Sequence, residues 1–468
     1  MCLDNQPTNL QMHQDISLID WCFSILVFWC SIIVAILISN HCFSYDLTLN
    51  QALEIATSQN LSLKKAGLVT ILSEAELKAN YALKYPRLGF NLNSGYNEIK
   101  EPSFGQRTIG KPDSPWTNQI SLTLSQYLYT GGKISNGITL FQSKRDISRY
   151  QEKIVREELF FNIALAYWEL KKTILAEGLA EKKKEHLELL LKEAKERYSA
   201  GLIPKIEVQR QHTLLSQANY ELKKAQIIQG KANNNLCLLL NLSQKEMINP
   251  IDEPKVEEEV RTLPYLINEA LSKRAEIKQA KNGVEEKESF LGVKTSEKRP
   301  QVSLLAQLNW GAWEDEWRKS ISSLKSSDWK VMLNLDFLLF DSGKINAEIE
   351  EAKTQLNIAK IEEEEIEKKI ISEVYQAYQD VLDAKEGINT YQERVSLEEE
   401  NLQQAYLQRD LGKITPAQLS KIELSYEEAR IDLFDAKINY IIQKATLAKS
   451  VGEVNNTSST ECWQNWGY

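Results

Sequence analysis

The chain has 468 residues, a net charge of −9 and 26% charged residues, which excludes a disordered chain and leaves nucleic acid no basic surface to bind. Only 19 glycines and 11 prolines interrupt a composition rich in Glu, Lys, Ala, Leu and Gln, which points to long helices. Cys2, Cys22, Cys30 and Cys42 crowd the start and Cys237 and Cys462 stand far apart, a pattern that supports no disulfide framework.

In chain order, the first feature is an apolar run from Trp21 to Ser39. It is long enough to cross a bilayer as one helix of about twenty residues. It also reads as a secretory core, with Cys42, Phe43 and Ser44 at the position of a cleavage site. No Lys or Arg precedes it, and Met12 offers an alternative start. Residues 1–44 are therefore read as an export signal or an N-terminal membrane segment. From Leu47 to Lys84 the period is helical, with Leu49, Leu53, Ala56, Leu63, Ala66 and Val69 near one face, and Pro86 ends it.

Two alternating segments follow, predicted as strands at about 87–100 and 116–129, with Leu88, Phe90 and Leu92 in the first and Ile120, Leu122 and Leu124 in the second. The segment between them holds Gly and Pro and reads as a loop. After Gly131 and Gly132 the pattern becomes a long helix without proline from Lys133 to Tyr198, roughly 100 Å at 1.5 Å per residue. Val155, Leu159, Ile163, Ala166 and Leu170 advance by three or four, as in a coiled-coil seam. The helix breaks at a tip, about 198–206, where Gly201 is placed for a left-handed cap and Pro204 for the first turn of a returning helix.

The plan then repeats. Shifting the chain by 211 residues carries Leu128, Lys133, Tyr167 and Gly201 onto Leu339, Lys344, Tyr378 and Gly412, and a shift of 214 carries Leu63 and Pro86 onto Ile277 and Pro300. The halves are residues 45–255 and 256–453, with strands at about 301–313 and 328–341, a second tip at about 409–417, and a polar tail at 454–468. The second seam is Ile366, Ile370, Val374, Ala377 and Val381. Gly131, Gly132 and Gly343 are the joints where strand turns into helix. A Gly-Lys pair opening a helix is also found in P-loops, but Tyr127 and Leu338 replace the first glycine and Ile134 and Ile345 the hydroxyl residue. Strands of about ten residues alternating apolar and polar match an outer-membrane barrel, with Trp310, Trp313, Trp317 and Trp329 near the strand ends as an aromatic girdle. A soluble sandwich with one buried face has the same period.

The two tips, the Gly-Lys joints and the repeat with two strands per half resemble the outer-membrane efflux protein family, the TolC-like channel tunnels, over the whole chain after residue 44. The resemblance implies a mainly α fold with β-barrel strands: long antiparallel coiled-coil hairpins forming an α-barrel tunnel, with four transmembrane strands per chain. A homotrimer would close a twelve-stranded barrel in outer-membrane lipid, with the helical tunnel in the periplasm. It implies a passive exit duct of a tripartite efflux or type I secretion system, coupled through a periplasmic adaptor (membrane fusion) protein to an inner-membrane efflux pump or ABC exporter. The alternatives are a periplasmic adaptor or a membrane-anchored coiled-coil scaffold without a pore.

No enzyme, metal site or cofactor is expected, since His13, His41, His186 and His212 are isolated and no Ser, His and acid set converges. His186 and His212 are read as solvated. The resemblance places adaptor docking at the tips, around Arg197, Tyr198, Gly201, Arg409 and Gly412. It places the periplasmic entrance at Gln418 and Lys421, where relatives carry two aspartates. It also places a gate latch between Glu207 and Arg409, which carry opposite charge.

Overall fold

A computed structural model describes residues 44–96, 116–254, 256, 261–314 and 326–453. The N-terminal apolar segment, the loop between the first two strands, Trp317 and the C-terminal tail lie outside these residues. The chain divides into two compact units, one ending at Ala56 and resuming from Ala166 to Glu253, the other formed by Thr57–Leu165 and the chain from Pro254 onward.

Strand β1 (Ser44–Leu47) leads into α1 (Leu49–Gln59) and α2 (Leu61–Ala82). The sequence pattern predicts one helix here, and Asn60 divides it. The Asn60 side chain accepts hydrogen bonds from the backbone N–H groups of Ser62 and Leu63, an N-cap that restarts the helix in a new phase. Leu49, Leu53, Ala56 and Leu63 are accordingly buried while Val69, on the extrapolated face, is exposed.

Strands β2 (Arg87–Tyr96) and β3 (Trp116–Tyr129) precede α3 (Lys133–Ser199) and α4 (Lys205–Leu240). A short β4 (Met247–Pro250) then pairs parallel with β1. In the same unit the Tyr167 hydroxyl donates to the Leu47 carbonyl at 2.9 Å and lies 2.8 Å from Asp252 Oδ2, which also accepts from the Leu49 N–H at 2.7 Å. Tyr167 thus pins both ends of the strand pair to α3.

The second half carries α5 (Leu263–Lys273), α6 (Ala275–Ser296), β5 (Gln301–Glu314), β6 (Ser326–Asp336), α7 (Lys344–Asp410) and α8 (Pro416–Val451). The long helices have equal lengths in both halves, 67 and 36 residues. Along α7 the seam residues Ile370, Val374, Ala377 and Val381 are buried with Leu266, Ala270 and Ile277 of α5 and α6 and Tyr440, Leu447 and Val451 of α8. Small and β-branched residues let these helices approach closely along their length.

At the α5–α6 break, Arg274 is buried. Its guanidinium donates to both Glu276 oxygens at 2.9 and 2.8 Å, to Glu373 of α7 at 3.0 Å and to the Ser450 carbonyl of α8 at 3.1 Å. Burial opposes the Glu276 charge, but the Arg274 guanidinium outweighs it and holds the carboxyl below the usual range.

The four longer strands form one antiparallel sheet in the order β2-β3-β5-β6. Its last strand stops at Asp336, short of the expected 341. Asp336 pairs with Gln301, the first residue of β5, so residues beyond it have no strand of this chain to pair with. His186 departs from expectation as well. It is buried in α3, while His212 is exposed.

Candidate functional site

In its central rows the sheet register sorts residues by face, although Ser94, Asn118 and Glu314 continue the apolar parity toward one end and Leu305 and Met332 share the polar one. Leu92, Ile120 and Trp310 stand in one row, Phe90, Leu122, Leu308 and Trp329 in the next, and Leu88, Leu124, Ala306 and Val331 in a third. The alternate rows hold Asn91, Ser121, Asn309 and Asp328, then Gly89, Thr123, Gln307 and Lys330. A strand's period of two is what separates them.

Exposure is not that of a sheet in water: apolar side chains of the outer strands are open, while on the polar face the inner-strand residues are covered and Asn91, Asp328 and Lys330 of the outer strands are open. Phe90 and Leu333 are 65% and 67% exposed on the apolar face, whereas Ser121 and Asn309 are 7% and 9% exposed on the polar one. Asn309 donates to Asp328 at 3.1 Å, and the polar rows bring only Arg87, Asp328, Lys330 and Asp336 as charges. A sheet apolar outside and polar within suits lipid on one side and water on the other. Strands of 10 to 14 residues are long enough to span the bilayer core, which takes about 9–11 at the usual tilt.

The joints turn these strands into helices through left-handed backbone. Gly131, Gly132 and Gly343 have φ of 65°, 98° and 90°, and Ser342, the counterpart of Gly131, adopts 58°. Arg299 donates to the Gly131 carbonyl at 2.9 Å, and Lys133 lies 3.6 Å from Glu297. At the second joint the Asp341 carboxylate accepts from the N–H groups of Ile345 and Gly343, which hold it below its usual range. Sequence reasoning missed Asp341 and Arg299, although an acid just before a helix start is a recognisable capping signal.

Both tips close by the same helix cap. The Leu202 N–H donates to Arg197 O and the Gly201 N–H to Tyr198 O, as Lys413 does to Gln408 and Gly412 to Arg409. Gly201 and Gly412 take φ of 72° and 66°, as a Schellman cap requires. Pro204 is an N-cap, one position earlier than expected, and Pro416 occupies the first turn. Arg197 pairs with Glu193 at 3.2 Å, and Tyr198, Leu202, Leu407 and Leu411 are exposed.

Glu207 pairs with Arg210 at 3.1 Å on its own helix; Arg409 pairs with Asp410 at 2.9 Å and stacks on Tyr406. Gln418 has a local role. Its side chain accepts from the Thr415 N–H at 2.9 Å and its N–H donates to Thr415 Oγ1, a complete capping box. Lys421 is exposed. Among the described residues no helix is long and apolar enough to cross a membrane, and no cluster of metal-ligating side chains occurs.

The sequence profile of the outer membrane efflux protein family matches residues 52–242 and 266–453, and the chain belongs to that family of TolC-like channel tunnels. It is 23% identical over 358 residues to the multidrug resistance outer membrane protein MdtQ of Escherichia coli O157:H7, covering 73% of this chain and 70% of that one. Its fold is similar to that of the CmeC outer membrane channel of Campylobacter jejuni, with a TM-score of 0.74, 15% identity and coverage of 89% and 88%. It is similar also to the outer membrane protein VceC of Vibrio cholerae, with a TM-score of 0.70, 17% identity and coverage of 86% and 96%.

Proposed function

We propose that the chain is the outer-membrane component of a tripartite efflux or type I secretion system. Three copies supply twelve strands to one barrel, and their helices form a periplasmic tunnel. The carrying observation is the inverted sheet, which exposes Leu88, Phe90, Leu333 and Leu335 and buries Ser121 and Asn309. Exposed apolar surface of this extent is costly in water and stable against lipid. The chain performs no reaction and acts as a passive duct.

The tips carrying Arg197, Tyr198, Gly201, Arg409 and Gly412 dock a periplasmic adaptor, which couples the duct to an inner-membrane pump or ABC exporter. The entrance residues Gln418 and Lys421 form no acidic ring. Glu207 and Arg409 latch neighbouring hairpins in the closed gate and part to their local partners Arg210 and Asp410 when it opens. Cell fractionation tests the reading: recovery in the outer membrane as a heat-sensitive trimer is expected, and recovery in the inner membrane or in solution would favour an adaptor or a scaffold.

A further inference from the structure

A cleft of about 650 Å³ opens where α3, α6, α7 and α8 come together, within the unit formed by Thr57–Leu165 and the chain from Pro254 onward. Ile154 and Phe161 of α3 line it together with Ile366 and Ile370 of α7. Its volume falls in the range of sites for drug-sized molecules, about 300–1,000 Å³. Its residues are spread along the chain from Ile154 to Ser450, so no motif announces it.

Charge sets the chemistry of this lining. Glu157 and Glu158 of α3, Glu276 of α6 and Glu373 and Asp380 of α7 share the cleft with three cations, Arg274, Lys369 and Lys449. Most of these charges are already answered. Arg274 binds Glu276 at 2.8 Å and Glu373 at 3.0 Å, Lys369 lies 3.9 Å from Glu373, and Glu157 lies 3.7 Å from Lys153. The Lys449 ammonium stands over the Phe161 ring, 4.7 Å from its centroid. Among the described residues, Glu158 and Asp380 have neither an ion pair nor a side-chain hydrogen bond. Two carboxylates from different helices are thus left without a counter-charge beside an aromatic ring and aliphatic side chains.

We propose that this cleft binds an organic cation of drug size, an apolar amine or quaternary ammonium whose charge is held by Glu158 and Asp380 and whose hydrocarbon lies against Phe161, Ile366 and Ile370. Charge-assisted contacts to the carboxylates and the negative face of the ring both favour a cation. The Gln376 amide, one helical turn before Asp380, adds a neutral hydrogen-bonding group. An inorganic cation would satisfy the acids and leave the apolar lining wet, and a neutral molecule would do the reverse. Helices of one chain build the site, so it does not depend on the trimeric duct proposed above.

Ethidium, a flat aromatic cation whose fluorescence rises when it leaves water, tests the site by titration into the purified full-length protein in neutral detergent. Saturable binding is expected, weakened about tenfold by Glu158→Gln or Asp380→Asn alone and about a hundredfold by the two together. Neither residue is buried, so the amide variants should keep the helix content seen by circular dichroism. Unprotonated phenanthridine, the same ring system without the charge, should bind weakly and equally to the unsubstituted protein and the double variant. Glu399→Gln with Glu400→Gln makes the same charge change at exposed positions further along α7 and should leave ethidium binding as it was. Undiminished ethidium affinity in the Glu158–Asp380 double variant, or an equal loss in the Glu399–Glu400 control, would overturn the site. Phenanthridine binding as tight as that of ethidium would overturn its preference for a cation. Recovery of the protein outside the outer membrane would remove the duct and leave this measurement unchanged.

Discussion

Arg274 shows how one side chain holds several elements. Its guanidinium joins the α5–α6 break to α7 and α8 through Glu276, Glu373 and the Ser450 carbonyl. Removing one partner of a buried ion pair leaves the other uncompensated, at a cost of about 3–5 kcal/mol. Arg274→Met should lower the thermal midpoint of helix unfolding by circular dichroism, and adding Glu276→Gln should restore part of the loss. Because the folded pKa of Glu276 lies below its unfolded value, its contribution is complete above the ordinary glutamate pKa of about 4.3 and is lost as pH falls further. Acid should therefore destabilise the native protein more than Glu276→Gln. The proposed latch belongs to the same scale. An exposed pair contributes about 0–1 kcal/mol, so three copies in the proposed trimer would bias a gate by about 0–3 kcal/mol, at most roughly a hundredfold in open population. The local partners Arg210 and Asp410 compete for the same charges and favour the lower end. Arg409→Glu should raise single-channel conductance at low salt, and Glu207→Arg added to it should restore the closed level. Unchanged conductance in the single variant would exclude the latch. Gln418 illustrates what sequence reading misses at this scale. It was singled out through the family resemblance as an entrance residue, whereas its capping bond to Thr415 depends on where the helix begins.

At the scale of elements, period and punctuation carried most of the information. Alternation marked the strands, and glycine followed by proline marked the tips, because these patterns report local backbone preference. The parallel pair of β1 with β4 was not legible. Each strand has four residues, and the partners lie some two hundred residues apart, so neither period nor turn chemistry points to the pairing. The joints look similar in sequence, with Gly131 corresponding to Ser342 and Gly132 to Gly343, yet differ in space. A Cβ on Gly131 would lie 2.6 Å from Arg299 Cβ and 3.0 Å from the Ser296 carbonyl, whereas one on Gly343 meets nothing within 4 Å. Gly343→Ala should therefore cost only the left-handed strain, about 1–2 kcal/mol. Gly131→Ala adds overpacking of about 1–3 kcal/mol. Trimer melting on semi-native gels distinguishes them, with the lower melting temperature expected for Gly131→Ala; equal losses would show that the Arg299 contact does not constrain the joint.

For the whole molecule, the repeat and the alternation made a plan of one four-stranded sheet and two helical hairpins readable, but alternation alone does not say which face of the sheet would meet lipid in the proposed barrel. The assignment of the exposed face to lipid belongs to the proposed barrel and is supported by the register, which places Leu88, Phe90 and Leu333 on one face, exposed, and Ser121 and Asn309 on the other, buried. Fluorescence quenching by brominated lipids tests this most directly. A bimane probe on Leu333→Cys in reconstituted protein should be quenched by brominated acyl chains. A probe on Gln307→Cys should escape them, and that cysteine should react with a membrane-impermeant maleimide through the lumen. Equal quenching at both positions, or quenching at 307 alone, would contradict the account.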